Sequence, residues 1–288
     1  IFKAFSLLQN TLDFSKENIV FNDGIADESF LRIAHSKNYI DSLTQSSSVA
    51  RIAELSLASF LPNRVLQRNL LDPIKRATYG TWLATQEALQ GKFSMNFGGG
   101  FHHAFANKGE GFCFFADAAI SILKARKENM ISDTDEIIMI DLDAHRGNGF
   151  ESFFLDDDHV KIFDMYNFQA YPGIHPGDVD EYPWMIPVKA QTNGETYLKI
   201  LAEEFDGFSK RLNKPKLAFY NAGSDILSGD KVGGLNVDFE SVVERDRFIL
   251  KYLKSNEIPT VVLTSGGYTP QSYKIVAKLA ELILTMCH

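Results

Sequence analysis

A rhythm in the last two thirds of this chain limits its folds most. Short, nearly unbroken apolar runs alternate there with longer amphipathic stretches. Runs of strand length occupy residues 93–96, 137–142, 160–165, 217–221 and 259–264. A run without polar alternation suits a strand covered on both faces, the condition of a parallel sheet. Residues 115–129, 195–211, 239–255 and 271–286 carry apolar positions at helical spacing between them. Strand–helix alternation of this kind predicts a three-layer α/β/α architecture. Upstream, residues 28–60 and 77–90 read as helical, with a break near Leu61-Pro62-Asn63. No repeat, low-complexity stretch or Gly/Pro-rich linker interrupts the chain, so residues 1–288 read as one domain.

Polar or glycine-rich residues follow each of these strands directly. Gly98-Gly99-Gly100 with His102 and His103 follow the first, and Asp141 to Asn148 the second. Asp164 lies at the end of the third, Gly223 to Asp225 follow the fourth, and Gly266-Gly267-Tyr268 follow the last. Open parallel sheets bind ligands outside the carboxyl ends of their strands. Five segments distant in sequence are therefore aimed at one rim.

Asp141-Leu142-Asp143-Ala144-His145 stands at the end of the clearest strand. Alternation puts Asp141 and Asp143 on one side. A carboxylate and an imidazole two residues apart can ligate one divalent cation. A mixed oxygen and nitrogen set suits zinc or iron(II) better than magnesium. A capping cluster at a strand–helix junction would use the same residues. Asp225 is the natural third ligand, and a catalytic zinc keeps a fourth position open; taken alone it is also an ordinary turn residue. His102 and His103 follow glycines that permit close backbone approach, and can serve as ligands or as bases beside a metal. Tyr268, on a glycine turn, can donate its hydroxyl to a developing oxyanion or simply pack at the rim.

Composition narrows the partners. The net charge is −8 and no basic stripe is present, which argues against direct nucleic-acid binding. A cationic partner such as a lysine-rich tail would be attracted, although mild acidity also serves solubility. Cys113 and Cys287, far apart, make no disulfide framework and point to a reducing compartment, cytoplasm or nucleus. No apolar run approaches the roughly 18 residues of a membrane span. The chain opens at Ile1 without a signal pattern, and something N-terminal to it is expected to be missing.

Taken in order, Gly-Gly-Gly-Phe-His102-His103, Gly111-Phe112-Cys113, Asp141-Leu-Asp143-Ala-His145-Arg-Gly-Asn148-Gly, Ala-Gly-Ser-Asp225 and Gly-Gly-Tyr268 resemble the histone deacetylase family, within the arginase/deacetylase fold. Asp164-Met165-Tyr166-Asn167, Tyr171-Pro172-Gly173, Asn221 to Leu227, Gly233-Gly234-Leu235 and Ser265 are most similar to its class IV branch. The resemblance covers roughly residues 30–285 and implies a mostly parallel sheet of about eight strands. It implies that Asp143, His145 and Asp225 hold zinc, with iron(II) permitted. His102 and His103 would form the acid/base pair, with His103 as the proton shuttle, and Tyr268 would stabilise the oxyanion. Asp141 would orient His102 and share a structural potassium ion with Asp164, Met165 and backbone carbonyls of Asp143 and His145. Gly111, Phe112, Tyr171 and Gly267 would line the acyl-lysine channel. The substrate would be an acylated lysine of a protein or peptide, histone tails among the candidates, with long fatty acyl groups as well as acetyl.

Two departures stand out. Many members carry an aspartate where this chain has Asn148, and a neutral amide stabilises a cationic ring less well. Asp164 replaces a residue that is often serine. Other readings stay open: an acetylpolyamine deacetylase on the same fold, an arginase-like dimanganese hydrolase, and a non-catalytic acyl-lysine reader. The sequence also leaves open whether the protein acts in a nucleus, in a bacterial cytoplasm or after export into a host.

Overall fold

The computed structural model describes residues 2–11, 19–173 and 184–287. The strands are β1 (Phe93–Asn96), β2 (Ile137–Asp141), β3 (Val160–Asn167), β4 (Met185–Val188), β5 (Leu217–Asn221) and β6 (Thr260–Leu263). They form one sheet of order β1-β6-β5-β2-β3-β4, parallel at every pairing. The sheet thus has six strands among the described residues, where about eight were expected. β4 escaped the sequence reading because it is short and interrupted by Pro187. It sits at the sheet edge, where a missing N–H is tolerated.

The helices are α1 (Phe2–Thr11), α2 (Glu28–Leu31), α3 (Lys37–Ser42), α4 (Ser46–Ile52), α5 (Asn63–Leu66), α6 (Asp72–Ala88), α7 (Asp117–Lys127), α8 (Asn148–Glu151), α9 (Gly194–Ser209), α10 (Phe239–Ser255) and α11 (Ser272–Cys287). The region read as one helix over 28–60 is broken into short pieces. Asp27 and Ser36 cap new starts there, each accepting a backbone N–H three residues on. Such capping favours several short helices over one long helix.

Side chains of the central strands alternate between two cores, which establishes the three layers. Ile137, Met139, Leu217, Phe219, Val261 and Leu263 pack with α6 and α7 residues such as Trp82, Ile120 and Ile122. Ile138, Ile140, Ala218, Tyr220 and Val262 pack with Leu201, Phe205, Ile249, Leu253 and Ile275 of α9, α10 and α11. Burial on both faces explains why β2 and β5 read as continuous apolar runs. No helix among the described residues is long and apolar enough to cross a membrane.

The chain leaves β2 for β3 on one side and β5 for β6 on the other, although β2 and β5 are neighbours. The strand order reverses between them, and a crevice opens at their carboxyl ends.

Candidate metal centre and active site

That crevice gathers the three residues proposed as ligands. Leu142 N still bonds Asn221 O at 3.0 Å, and past this point the two loops part. Asp143 and His145 lie on the loop after β2, Asp225 on the loop after β5. His145 Nδ1 is 2.9 Å from Asp143 Oδ1 and 3.0 Å from Asp225 Oδ2. All three side chains are buried, and their ligand atoms lie within 4.8 Å of one another.

The outer bonds show which atoms are left for an ion. His145 Nε2 faces Val232 O at 3.2 Å. A carbonyl only accepts, so the neutral ring carries its proton on Nε2 and turns the Nδ1 lone pair toward both carboxylates. Asp143 Oδ2 accepts from Gly266 N at 2.8 Å, and Asp225 Oδ1 accepts from Ala144 N at 2.9 Å. Asp225 Oδ2 is buried and makes no hydrogen bond. Burial disfavours a charged ring, yet the carboxylates of Asp143 and Asp225 beside it hold the His145 pKa up to about 11. Burial, then the charge of Asp143, pushes Asp225 up to about 7. Two buried carboxylates facing one imidazole favour a positive charge between them. Two carboxylate oxygens, one of them without a hydrogen-bond partner, and one imidazole nitrogen fit a divalent cation with a position open to substrate.

Gly266 makes the close approach workable. A Cβ there would collide with Asp225 Oδ2 and stand 2.7 Å from Asp143 Oδ2.

The two histidines of the glycine-rich loop lie beside this point, their ring centroids 4.1 Å apart. His102 Nδ1 is 2.8 Å from Asp141 Oδ2, and His103 Nδ1 is 2.8 Å from Asn148 Oδ1. Both acceptors require the proton on Nδ1, which frees Nε2 of the uncharged His103. Burial opposes charge on His102, but Asp141 and Asp143 outweigh it and raise the ring to about 9. Burial and the charge of His102 drive His103 well below the ordinary histidine range. One ring is therefore cationic and the other basic at neutral pH. A divalent ion nearby would lower both.

The histone deacetylase domain model matches residues 2–284. The chain belongs to the histone deacetylase family. Membership makes it a deacetylase-type hydrolase, in a family that works with a bound metal. Histone deacetylase 2 of Arabidopsis thaliana is 38% identical over 270 residues, spanning 93% of this chain and 68% of the relative. Histone deacetylase 8 of Xenopus laevis is 28% identical over 221 residues, 71% of this chain and 63% of the relative. A solved histone deacetylase homologue in complex with SAHA superposes with a TM-score of 0.76 at 22% identity, covering 98% of this chain and 76% of that one. A homologue from Aquifex aeolicus gives 0.74 at 22% identity, with the same coverage of both chains. The arginase/deacetylase fold expected from the motifs is the fold observed.

Around the deacetylase centre, the expected channel residues fall into two groups. Tyr171 packs edge-on against the His103 ring, centroids 4.9 Å apart, and its hydroxyl donates to Glu110 Oε2 at 2.8 Å. Phe112 and Tyr268, both partly exposed, have ring centroids 6.0 Å apart. Gly111 and Tyr171 thus lie against the His103 ring, and Phe112 lies beside Tyr268. Gly267 instead packs against Ser224 Oγ, where a Cβ would collide, so its part is to let the tyrosine turn seat. Burial, then the charges of Asp143 and Asp225, raises the Tyr268 pKa, and its hydroxyl stays a donor.

Asp141 and Asp164 are paired neighbours across β2 and β3. Asp164 Oδ2 accepts from Gly147 N at 2.7 Å, while its buried Oδ1 has no partner. Burial, with Asp141 and Glu151 adding repulsion, drives its pKa far up. Met165 is buried beside it on β3.

The sequence reading missed several residues that hold this site. Asn221 Nδ2 donates to both Asp141 oxygens at 3.0 and 3.1 Å. Asp230 accepts from Val232 N and Gly233 N through Oδ1 and from Tyr268 N through Oδ2. His35, which burial lowers to about 4, bridges Phe105 O and Ala116 N and braces the histidine loop. Asn221 and His35 have no local signal, because their partners are remote in sequence; Asp230 turns its own loop through N–H groups two and three residues on, and its tie to Tyr268 is the remote one.

Gly111 offers a test of the wall. It has φ +49°, and a Cβ there would stand 2.6 Å from His103 Cδ2. Gly111→Ala should cost about 1–2 kcal/mol of backbone strain and displace the His103 ring. We expect kcat/KM to fall by roughly tenfold or more, with metal affinity unchanged. Steady-state kinetics beside metal titration checks this, and wild-type kinetics would refute it.

Proposed function

We propose that this chain is a zinc-dependent lysine deacylase. The observation that carries the reading is the convergence of Asp143, His145 and Asp225 on one point, beside one cationic and one basic histidine. Asp143 Oδ1, His145 Nδ1 and Asp225 Oδ2 would hold the zinc. The bound ion would polarise the amide carbonyl and acidify water at neutral pH.

His103, through its free Nε2, takes a proton from the attacking water and returns it to the lysine nitrogen as the C–N bond breaks. The products are a carboxylate and a free lysine amine. His102 stays charged through Asp141 and stabilises the negative charge that develops. Tyr268 donates its hydroxyl to the oxyanion. Phe112 and Tyr171 flank the aliphatic lysine stem. The unpartnered Oδ1 of Asp164 supports a potassium site, which Asp141, Asp164 and the Met165 carbonyl would hold.

The preferred substrate is an acyl-lysine of an intracellular protein, and the class IV resemblance favours long acyl chains. Each buried methylene contributes about 0.8 kcal/mol, so a pocket that accepts a long chain strongly prefers it. The test is kcat/KM on acetyl-lysine and myristoyl-lysine peptides and on an acetylated polyamine, for the zinc-loaded protein. The expected order puts the myristoyl peptide first and the polyamine last. A clear acetyl preference removes the long-chain claim, and a polyamine preference replaces the substrate class. Absence of turnover on every substrate supports a reader instead of an enzyme.

A further inference from the structure

A buried charge lies behind the metal loops, outside the catalytic pair. Arg245 and Asp246 fall on the apolar stripe of α10, between Val242, Val243, Ile249 and Leu250, and both are fully buried. A guanidinium among aliphatic side chains is expensive unless every contact is specific. Arg245 Nη1 donates to two backbone carbonyls, Leu142 O at 2.9 Å and Gly223 O at 2.7 Å. Nε and Nη2 lie 2.9 and 2.7 Å from Asp246 Oδ1, which also accepts from Tyr220 OH at 2.5 Å.

The two carbonyls are placed with consequence. Leu142 immediately precedes Asp143, and Gly223 lies two residues before Asp225. The β2–β5 ladder has ended at Leu142 N, so no strand pairing sets the separation of the loops beyond it. Besides the Ala144 N–Asp225 Oδ1 hydrogen bond, one planar donor group bridges both loops there. Asp246 neutralises the guanidinium, so a positive charge is kept there without repelling a cation at the ligand point.

We propose that Arg245 is a positioning residue for the metal centre: it staples the carboxyl ends of β2 and β5 and thereby sets the distance between Asp143 and Asp225. Asp246 is its counter-charge. The proposal rests on the metal-site reading above and adds a residue that touches no ligand atom.

The experiment compares wild type, Arg245→Lys, Asp246→Asn and Ile249→Val as full chains. Three quantities are read: Zn²⁺ affinity by competition with a chromophoric chelator, the visible spectrum of the Co²⁺-loaded protein, and Tm after chelation. Ile249 is a buried neighbour on the same helix and controls for loss of stability alone. Lysine keeps the charge but cannot bridge two carbonyls in a fixed fork. Arg245→Lys should weaken Zn²⁺ binding roughly ten- to a hundredfold and alter the Co²⁺ spectrum, and Asp246→Asn should weaken it as well. Ile249→Val should lower Tm without either change. Wild-type Zn²⁺ affinity and an unaltered spectrum in folded Arg245→Lys overturn the proposal. Should that variant not fold, Asp246→Asn decides by the same two readouts. A wild type that binds no Zn²⁺ overturns the metal-site reading itself, a distinct result.

Discussion

Replacing His103 by alanine should lower kcat by roughly a hundred- to ten-thousandfold while KM stays close to that of the wild type. The ring supplies the base; among the described residues its imidazole neighbours are His102 and His145, and His145 is placed in the metal ligand set. His102 is a poorer substitute, because Asp141 and Asp143 raise its pKa to about 9 and favour its protonated form. The same geometry predicts a shift in pH dependence. Burial and the charge of His102 keep the His103 ring deprotonated into the acid range, and Asn148 gives it a hydrogen bond without charge. Asn148→Asp adds a negative charge at the same contact and raises the His103 pKa. The base form is then lost at a higher pH on acidification, and the acid limb of kcat/KM moves upward. A limb that stays put, or moves down, would disprove the assignment of His103 as the titrating base.

The second large effect concerns the ion. Asp225→Asn retains volume and an oxygen for Ala144 N, but removes the charge from the unpartnered oxygen. Metal binding of about 10 kcal/mol spread over three protein ligands assigns each about 3 kcal/mol, or about a hundredfold in affinity. Turnover should fall with occupancy and recover in part at high metal concentration. The pH sense follows from competition between protons and the metal. Burial and the charge of Asp143 hold the Asp225 pKa up to about 7, so its carboxylate must give up a proton before it can bind. Affinity should therefore tighten as pH rises through neutrality in the wild type, and less steeply in Asp225→Asn. Chelator competition at several pH values measures both, and equal affinities would remove Asp225 from the ligand set.

Much of the site was legible because its residues carry local signals. Asp143 and His145 share one loop, and Asp225, His102, His103 and Tyr268 each follow a glycine at a strand end. The strand runs at 93–96 and 217–221 match β1 and β5, and α10 begins and ends where the periodicity placed it. The six-stranded sheet departs from the expected eight, and the fragmented helices after residue 28 show caps overruling a long apolar pattern. Arg245 had a signal that went unused. A charged pair on the apolar stripe of an amphipathic helix conflicts with that pattern and marks a specific buried contact.

The sequence by itself determined the layers and the chemistry of the rim. Apolar runs without alternation, set between amphipathic helical stretches, suit strands buried on both faces, and parallel strands present the loops after them to one edge. The tertiary structure alone decided which loops meet. The reversal of strand order between β2 and β5 brings Asp225 to His145, 80 residues away in the chain. It also set the proton positions on His102, His103 and His145, since those depend on Asp141, Asn148 and Val232, contacts made only once the loops close. Local patterning specifies a residue's type and face, whereas the distance between two ligands is a property of the closed fold.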